Sequence, residues 1–151
     1  TAAAPEAGIR TAIIRTGIVL STRGGALARQ LPAFRLGLGG RAGSGRQYQS
    51  WITLDDEVSA IAFLLGSQVS GPVNLTAPSP VTNAEFAATL GSVLHRPTTI
   101  LPMIGPRALF GRELADALLL GGQRVEPAVL LRAGFRFGHD DLASALSSML
   151  R

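Results

Sequence analysis

Residues 9–20, IRTAIIRTGIVL, most constrain what this chain can become. The run is mostly apolar and rich in β-branched side chains, without strict alternation. That is the pattern of a strand covered on both faces, as found in parallel sheets flanked by helices. Gly17 interrupts the run and predicts a bend or a close backbone approach. Such a strand needs further strands and helices in alternation, and the rest of the chain offers them. Residues 26–34 and 127–133 suit short helices, the second with Pro127 in its first turn. Thr53-x-x-Asp56 and Thr82-x-x-Glu85 have capping-box spacing, although Asp56 replaces the preferred Glu or Gln. Behind them Val58, Ile61, Ala62 and Leu65, and then Phe86, Leu90, Val93 and Leu94, recur at helical spacing. Residues 114–120 read as a helix, and Leu142, Leu146, Met149 and Leu150 as a closing one. Residues 47–53 read as extended, and residues 73–76 and 98–101 as short strands. The alternation predicts an α/β chain with parallel pairing, preceded by a small flexible lead-in over residues 1–8.

Composition narrows the function classes. With 151 residues, 46% of them hydrophobic, the chain has enough apolar surface for one core. Without cysteine it has neither a disulfide framework nor a thiolate nucleophile or metal ligand. All 14 cationic residues are Arg, so no mechanism that needs an amine side chain can be completed within this chain. The net charge of +4 and pI near 11.2 follow from the high pKa of Arg set against only 10 acids. The arginines are scattered, without an aromatic ladder or a helix-turn-helix signature, which disfavours nucleic acid as a partner. No stretch reaches the ~18 consecutive apolar residues of a membrane span. The first eight residues lack the basic and apolar regions of a signal peptide, so a cytoplasmic protein is expected.

The chemistry-bearing residues are few. Gly37-x-Gly39-x-x-Ala42 formally matches a dinucleotide fingerprint, with Glu57 downstream. That motif works only between a buried strand and a helix N-terminus aimed at a pyrophosphate. Here a helix candidate precedes it and Ser44-Gly45-Arg46-Gln47 follows, so a mobile glycine loop over a ligand is the better reading. Arg41 and Arg46 flank that loop, either facing an anionic group or lying on solvated surface. Asp55, Asp56 and Glu57 suit a helix start, Asp56 in a capping role. His95 and His139 stand alone without metal-ligand spacing. No Gly-x-Ser-x-Gly elbow is present, and Asn74-Leu75-Thr76 carries no meaning as a glycosylation acceptor on a strand. The sole Trp, Trp51, either packs over a ligand or fills core space.

Together these residues resemble the extended short-chain dehydrogenase/reductase superfamily, and within it an epimerase-like group. The resemblance is carried by Arg15-Thr16-Gly17-Ile18-Val19-Leu20-Ser21, Arg23-Gly24-Gly25-Ala26-Leu27 and Leu36-Gly37-Leu38-Gly39-Gly40. It continues through Gly43 to Gln47, Ser50-Trp51-Ile52, Asp55-Asp56, Gly71 to Pro78 and Pro80 to Phe86. Gly122-Gln123-Arg124-Val125 and Ala133 to Phe137 match the group's C-terminal segment, so the resemblance spans nearly all 151 residues. It implies a Rossmann-type fold, NAD or NADP as cofactor, and a small-molecule substrate of the nucleotide-sugar kind. Family members open with a half carrying Gly-x-x-Gly-x-x-Gly, and they transfer hydride with a Tyr-x-x-x-Lys pair. This chain's only Tyr is Tyr48, residue 52 is Ile and Lys is absent. The expectation is therefore that residues 9–151 are the C-terminal, substrate-binding half, not catalytic in isolation, with the N-terminal cofactor half absent. The resemblance places Thr16, Gly17 and Ile18 beside the cofactor, and Arg23, Arg41, Arg46, Gln47 and Trp51 around the substrate. A sheet lacking its other strands is expected to leave an apolar face and edge open, covered by the absent half or by self-association. The rival reading is a stand-alone binding or scaffold module derived from the same fold.

Overall fold

The computed structural model describes residues 6–101 and 122–150. The helix expected over 114–120 and the first five residues lie outside the described residues. In chain order the elements are β1 (Ala12–Thr16), β2 (Ile18–Leu20), α1 (Gly25–Arg35), β3 (Gly40–Ala42), β4 (Tyr48–Gln49), β5 (Trp51–Thr53), α2 (Leu54–Gly66) and β6 (Gly71–Leu75). Then follow β7 (Val81–Thr82), α3 (Asn83–Val93), β8 (Thr99–Leu101), α4 (Ala128–Arg132) and α5 (Leu142–Met149). The expected α/β alternation is present. β1 pairs with β6, β2 with β5 and β3 with β8, all parallel, while β4 and β7 run antiparallel.

The run over residues 9–20 is two strands that exchange partners. β1 lies beside β6 from Ala12 opposite Gly71 to Thr16 opposite Leu75. Past Gly17, β2 lies beside β5, from Ile18 opposite Trp51 to Leu20 opposite Thr53. The changeover is carried by Gly17 N donating to Leu75 O at 2.9 Å and Ile18 N donating to Ser50 O at 2.8 Å. Glycine is required there because a Cβ would press against the Ser50 carbonyl oxygen and the Thr76 methyl. The close approach expected at Gly17 is therefore real.

The expectation of a strand covered on both faces fails for β1. Ile13 and Ile14 face opposite ways, yet they are 47% and 44% exposed. The reason is that β6 is the only strand paired with β1 among the described residues. The helix expected behind Thr53 is present as α2, but its apolar spacing does not mark the buried face. Val58, Ile61, Ala62 and Leu65, together with Leu54, form an apolar seam that points to solvent. The face turned inward instead carries Asp56, Glu57, Ala60 and Leu64. In α3 the helical spacing does face the core, with Phe86, Ala87 and Leu90 buried.

The core has two parts, divided by β5. Trp51 joins Leu20, Leu27, Phe34, Phe86, Leu90 and Leu146 on one side. Its neighbour Ile52 points the other way, toward Leu64, Val73, Leu75, Leu130 and Phe135. Phe135 is also flanked by Phe63 and Phe137, at ring-centroid separations of 5.4 and 4.9 Å.

Local rules place the helices. Thr82 Oγ1 accepts from Glu85 N, and Glu85 Oε2 accepts from Thr82 N at 2.7 Å, completing the expected capping box on α3. The bond from Thr82 N, and after it one that the Thr82 hydroxyl donates to Glu85 Oε2 at 2.9 Å, hold the Glu85 carboxyl below its ordinary pKa. On α2 the cap is Thr53, which accepts from Asp56 N at 3.1 Å. Asp56 takes its expected part in that cap, its Oδ2 accepting from the Thr53 hydroxyl at 2.9 Å, and it has a second task. Its carboxylate accepts from Gly138 N at 2.7 Å and His139 N at 3.1 Å, which fastens the C-terminal segment to the start of α2. The glycine run over 37–45 is not a loose loop. It contains β3, and a Cβ at Gly40 would collide with the Thr99 backbone of β8 while one at Gly39 would meet the Phe34 ring.

Two adjacent residues test this placement of α2. Leu64→Ala is expected to cost about 2–5 kcal/mol in urea unfolding. Leu65→Ala, 75% exposed, is expected to stay within about 0.5 kcal/mol.

Candidate functional site

The C-terminal end of β1, the break at Gly17 and the start of β2 form one wall of a cavity of about 640 Å³. Parallel α/β sheets typically bind ligands at such strand ends. Thr16, Gly17 and Ile18 line this wall. Ala26, Gln30, Ala33 and Phe34 of α1 make another, with the glycines of β3 behind them. Gln47 to Ser50, Asn83, Leu101, and the extended segment with Gly122, Gln123 and Val125 complete the lining.

That last segment is a strap held by side chains in place of strand pairing. Ser50 Oγ donates to Gln123 O at 2.7 Å and accepts from Val125 N at 2.9 Å. Thr76 Oγ1 donates to Val125 O and Asn74 Nδ2 to Glu126 O, both at 3.3 Å. Asn74 and Thr76, which meant nothing as a glycosylation motif, thus have a structural task. Outside the strap Arg124 lies 5.8 Å from the Tyr48 ring centroid and pairs with Glu126 at 3.3 Å.

Beneath the wall of β1 lies Glu57. Its side chain is buried, Oε1 accepts from the Thr16 hydroxyl at 2.9 Å, and Oε2 has no hydrogen-bond partner among the described residues. Desolvation raises its pKa above the ordinary 4.5, against the opposing pull of the Thr16 hydrogen bond. Because Thr16 spends its proton on Glu57, its oxygen is left with acceptor capacity only. Asn83, also buried, accepts from Ala42 N through Oδ1 at 2.7 Å and locks α3 to β3. Gln47 Nε2 donates to Ala42 O at 3.1 Å.

The residues singled out by resemblance are divided by the structure. Thr16, Gly17, Ile18 and Gln47 meet at the cavity. Arg23, Arg41 and Arg46 are not among its lining residues. Arg41 instead donates to Gly43 O at 3.3 Å and Ser44 O at 2.6 Å, closing its own turn. Trp51 is fully buried in the core, with Nε1 donating to Ser79 O at 2.9 Å, so of its two readings the core-filling one is observed. Gln30, Gln49, Ser50, Asn83 and Gln123 were not foreseen. Asn83 adjoins the Thr82 capping box, but Gln30 lies within the helix expected over 26–34 and Gln49 and Ser50 within the extended segment expected over 47–53, positions that give no signal of a site. Among the described residues no group of three or more His, Cys, Asp or Glu could hold a metal, and no helix is long and apolar enough to cross a membrane.

Comparison with known proteins agrees with this geometry. Residues 101–149 match a family described as a domain of unknown function, DUF1731. The chain is 53% identical over 148 residues to the epimerase family protein Mb2239 of Mycobacterium bovis, covering 97% of this chain and 49% of that protein. Human epimerase family protein SDR39U1, isoform 2, solved with NADPH, superposes with a TM-score of 0.87 at 40% identity, over 93% of this chain and 48% of that one. A nucleoside-diphosphate sugar epimerase of Corynebacterium glutamicum gives a TM-score of 0.71 at 34% identity, over 99% of this chain and 28% of that one. The fold is thus of Rossmann type, with parallel strands flanked by helices. The chain is an epimerase-family domain, of the extended short-chain dehydrogenase/reductase kind, homologous to SDR39U1 and related proteins. It spans about half the length of the curated relatives it matches.

The Glu57 pair carries a pH signature. A carboxyl whose folded-state pKa is raised binds more protons folded than unfolded, so stability falls as pH rises from about 4.5 through the folded value. Urea unfolding at stepped pH is expected to show this loss in the wild type and not in Glu57→Gln. An identical pH slope in both proteins would contradict the assignment.

Proposed function

We propose that this chain is the substrate-binding half of an NAD(P)-dependent oxidoreductase of epimerase type, acting at an alcohol or ketone carbon of a sugar-like small molecule. One observation carries the reading. Thr16 belongs both to the cavity wall and to β1, whose only strand partner among the described residues is β6, so whatever completes the sheet also completes the cavity. The exposed Ile13 and Ile14 and the outward seam of α2 support the same conclusion, since monomeric proteins rarely leave such surface uncovered. The occupant proposed is the other half of the longer protein, C-terminal to which these residues would lie; self-association through the same surface is the alternative. That the matched relatives run to about twice this span supports the first.

The chain's own residues fit one end of a nicotinamide cofactor. The Thr16 oxygen, an acceptor once its proton is on Glu57, suits a donor such as a carboxamide N–H, beside Gly17 and Ile18. They do not fit the diphosphate end. Gly39 and Gly40, from the run that formally resembled a fingerprint, press against Phe34 and Thr99 in the packing of β3. The cofactor's phosphates, and the Tyr-x-x-x-Lys pair that would move the proton during hydride transfer, belong in this reading to the other half. This chain supplies the substrate's pocket, positions it with uncharged polar groups, and excludes water with Phe34 and the strap.

The reading is tested by NADPH titration followed by nicotinamide fluorescence. The chain alone is expected to give no saturable binding. Mixed with the half of the Mycobacterium bovis relative that it does not match, it is expected to give saturable binding. Tight binding by the chain alone, or none in the mixture, would favour the stand-alone module.

A further inference from the structure

We propose that the helix that crosses over into β1 in the longer protein lies along the seam of α2 and presents a basic side chain, Arg or Lys, to the buried carboxylate of Glu57. This rests on the reading above that the chain is one half of a divided fold, and it names the element that meets α2 and the charge it brings. The place of that helix follows from the handedness of parallel sheets. α2 lies in the connection from β1 to β6 and covers one face of β1, where Ala12 packs into the cluster of Ala60 and Leu64 and Thr16 donates to Glu57. A parallel strand on the other side of β1, joined to it by a crossover, continues in the direction that leads from β1 to β6. Right-handed crossovers that advance in one direction put their helices on one face of the sheet. The incoming helix therefore lies beside α2. Room for it exists, because Ile14, on the same face as Ala12 and Thr16, is 44% exposed. The backbone ahead of β1 agrees: Glu6 is helical and Gly8 has a φ of 74°, the left-handed turn with which helices commonly end.

Glu57 decides what that helix must carry. The residue is only 7% exposed, and Thr16 is the one donor to its carboxylate among the described residues. Asp56 beside it is also buried, but the Thr53 hydroxyl, Gly138 N and His139 N all donate to it. A carboxylate taken out of water with a single hydrogen bond is costly, and folded proteins compensate such groups with a cation. The raised pKa of Glu57 is in keeping with a charge that this half leaves uncompensated. Its position lets the other half supply the cation. Leu54 and Ile61 stand three residues before Glu57 and four after it, on the same stripe of α2, and both are exposed. The buried carboxylate thus adjoins the open seam. Packed helices lie about 8–10 Å apart, a gap that Arg or Lys spans with its aliphatic stem along apolar neighbours. A partner of apolar groups alone would cover the seam and leave Glu57 Oε2 buried more deeply without compensation.

Isothermal titration calorimetry at neutral pH tests the proposal, with the 151-residue chain titrated by the half of the Mycobacterium bovis relative that it does not match. Glu57→Gln keeps the shape of the side chain and removes its charge, and Glu57→Leu removes every acceptor. Both are expected to weaken association about tenfold or more, because each leaves the partner's cation buried and unpaired. Were the seam to take apolar groups only, Glu57→Leu would bind as well as wild type or better, and that result overturns the proposal. Wild-type affinity in Glu57→Gln overturns it as well. Each variant alone is expected to be at least as stable in urea as the wild type, since ionised Glu57 is uncompensated there. A loss of stability in the chain alone would make the residue a structural one and count equally against the proposal. The two readings fail separately. A wild-type chain that does not associate with the other half, or that only self-associates, fails the divided-fold reading and takes this one with it. Association of the wild type, matched by both variants, leaves that reading standing and sinks this one alone.

Discussion

The exchange of strand partners at Gly17 governs the rest of the molecule. One stretch of backbone hydrogen-bonds first to β6 and then to β5, and the two partners part at the point where Leu75 O and Ser50 O accept successive amides. Strands that separate leave a crevice at their ends, and that crevice is the cavity. The same geometry brings Thr16 to the rim and sets Glu57 beneath it. It also leaves Ser50 and Thr76 side by side, with polar side chains free to hold the strap over residues 122–127. Only glycine permits the approach, since any Cβ would displace Ser50 or Thr76. Fold and site therefore share a single covalent cause.

Much of this was legible in the sequence. The α/β alternation, the capping box at Thr82, the strand at β6 and the close approach at Gly17 all come from local rules of propensity, capping and spacing. What local rules do not carry is which way an element faces. Val58, Ile61 and Leu65 have the spacing of a core stripe, yet they look outward, and Asp56, Glu57, Ala60 and Leu64 look in. Spacing reports that a face is apolar; it does not report which neighbour covers it. The exposed isoleucines of β1 carry the same lesson.

The candidate site was legible in part for a related reason. Thr16 to Ile18 and Gln47 sit at element ends, where motif and position coincide, and they line the cavity. The arginines were chosen for charge, and charge is a property of a residue and not of its place. Arg41 has carbonyl oxygens closer at hand than any ligand. Gln30 and Gln49 carry no motif, Gln123 only that of the Gly122–Val125 run, and only the folded chain brings the three to one space. Buried Glu57 was read as a helix-start charge, because nothing in its neighbours' sequence reveals that Thr16 will arrive above it.

We propose that the edge of β1 that has no strand partner among the described residues and the outward seam of α2 form one side of a larger interface that completes both sheet and cavity. Hydrogen–deuterium exchange measures this directly, comparing the chain alone with the chain mixed with the unmatched half of its Mycobacterium bovis relative. Protection should rise in β1, over Ala12–Thr16, and along α2, over Leu54–Gly66, while α3 and α5 remain unchanged. Unchanged exchange in β1 and α2, or protection gained only elsewhere, would contradict the claim that this chain is half of a divided fold.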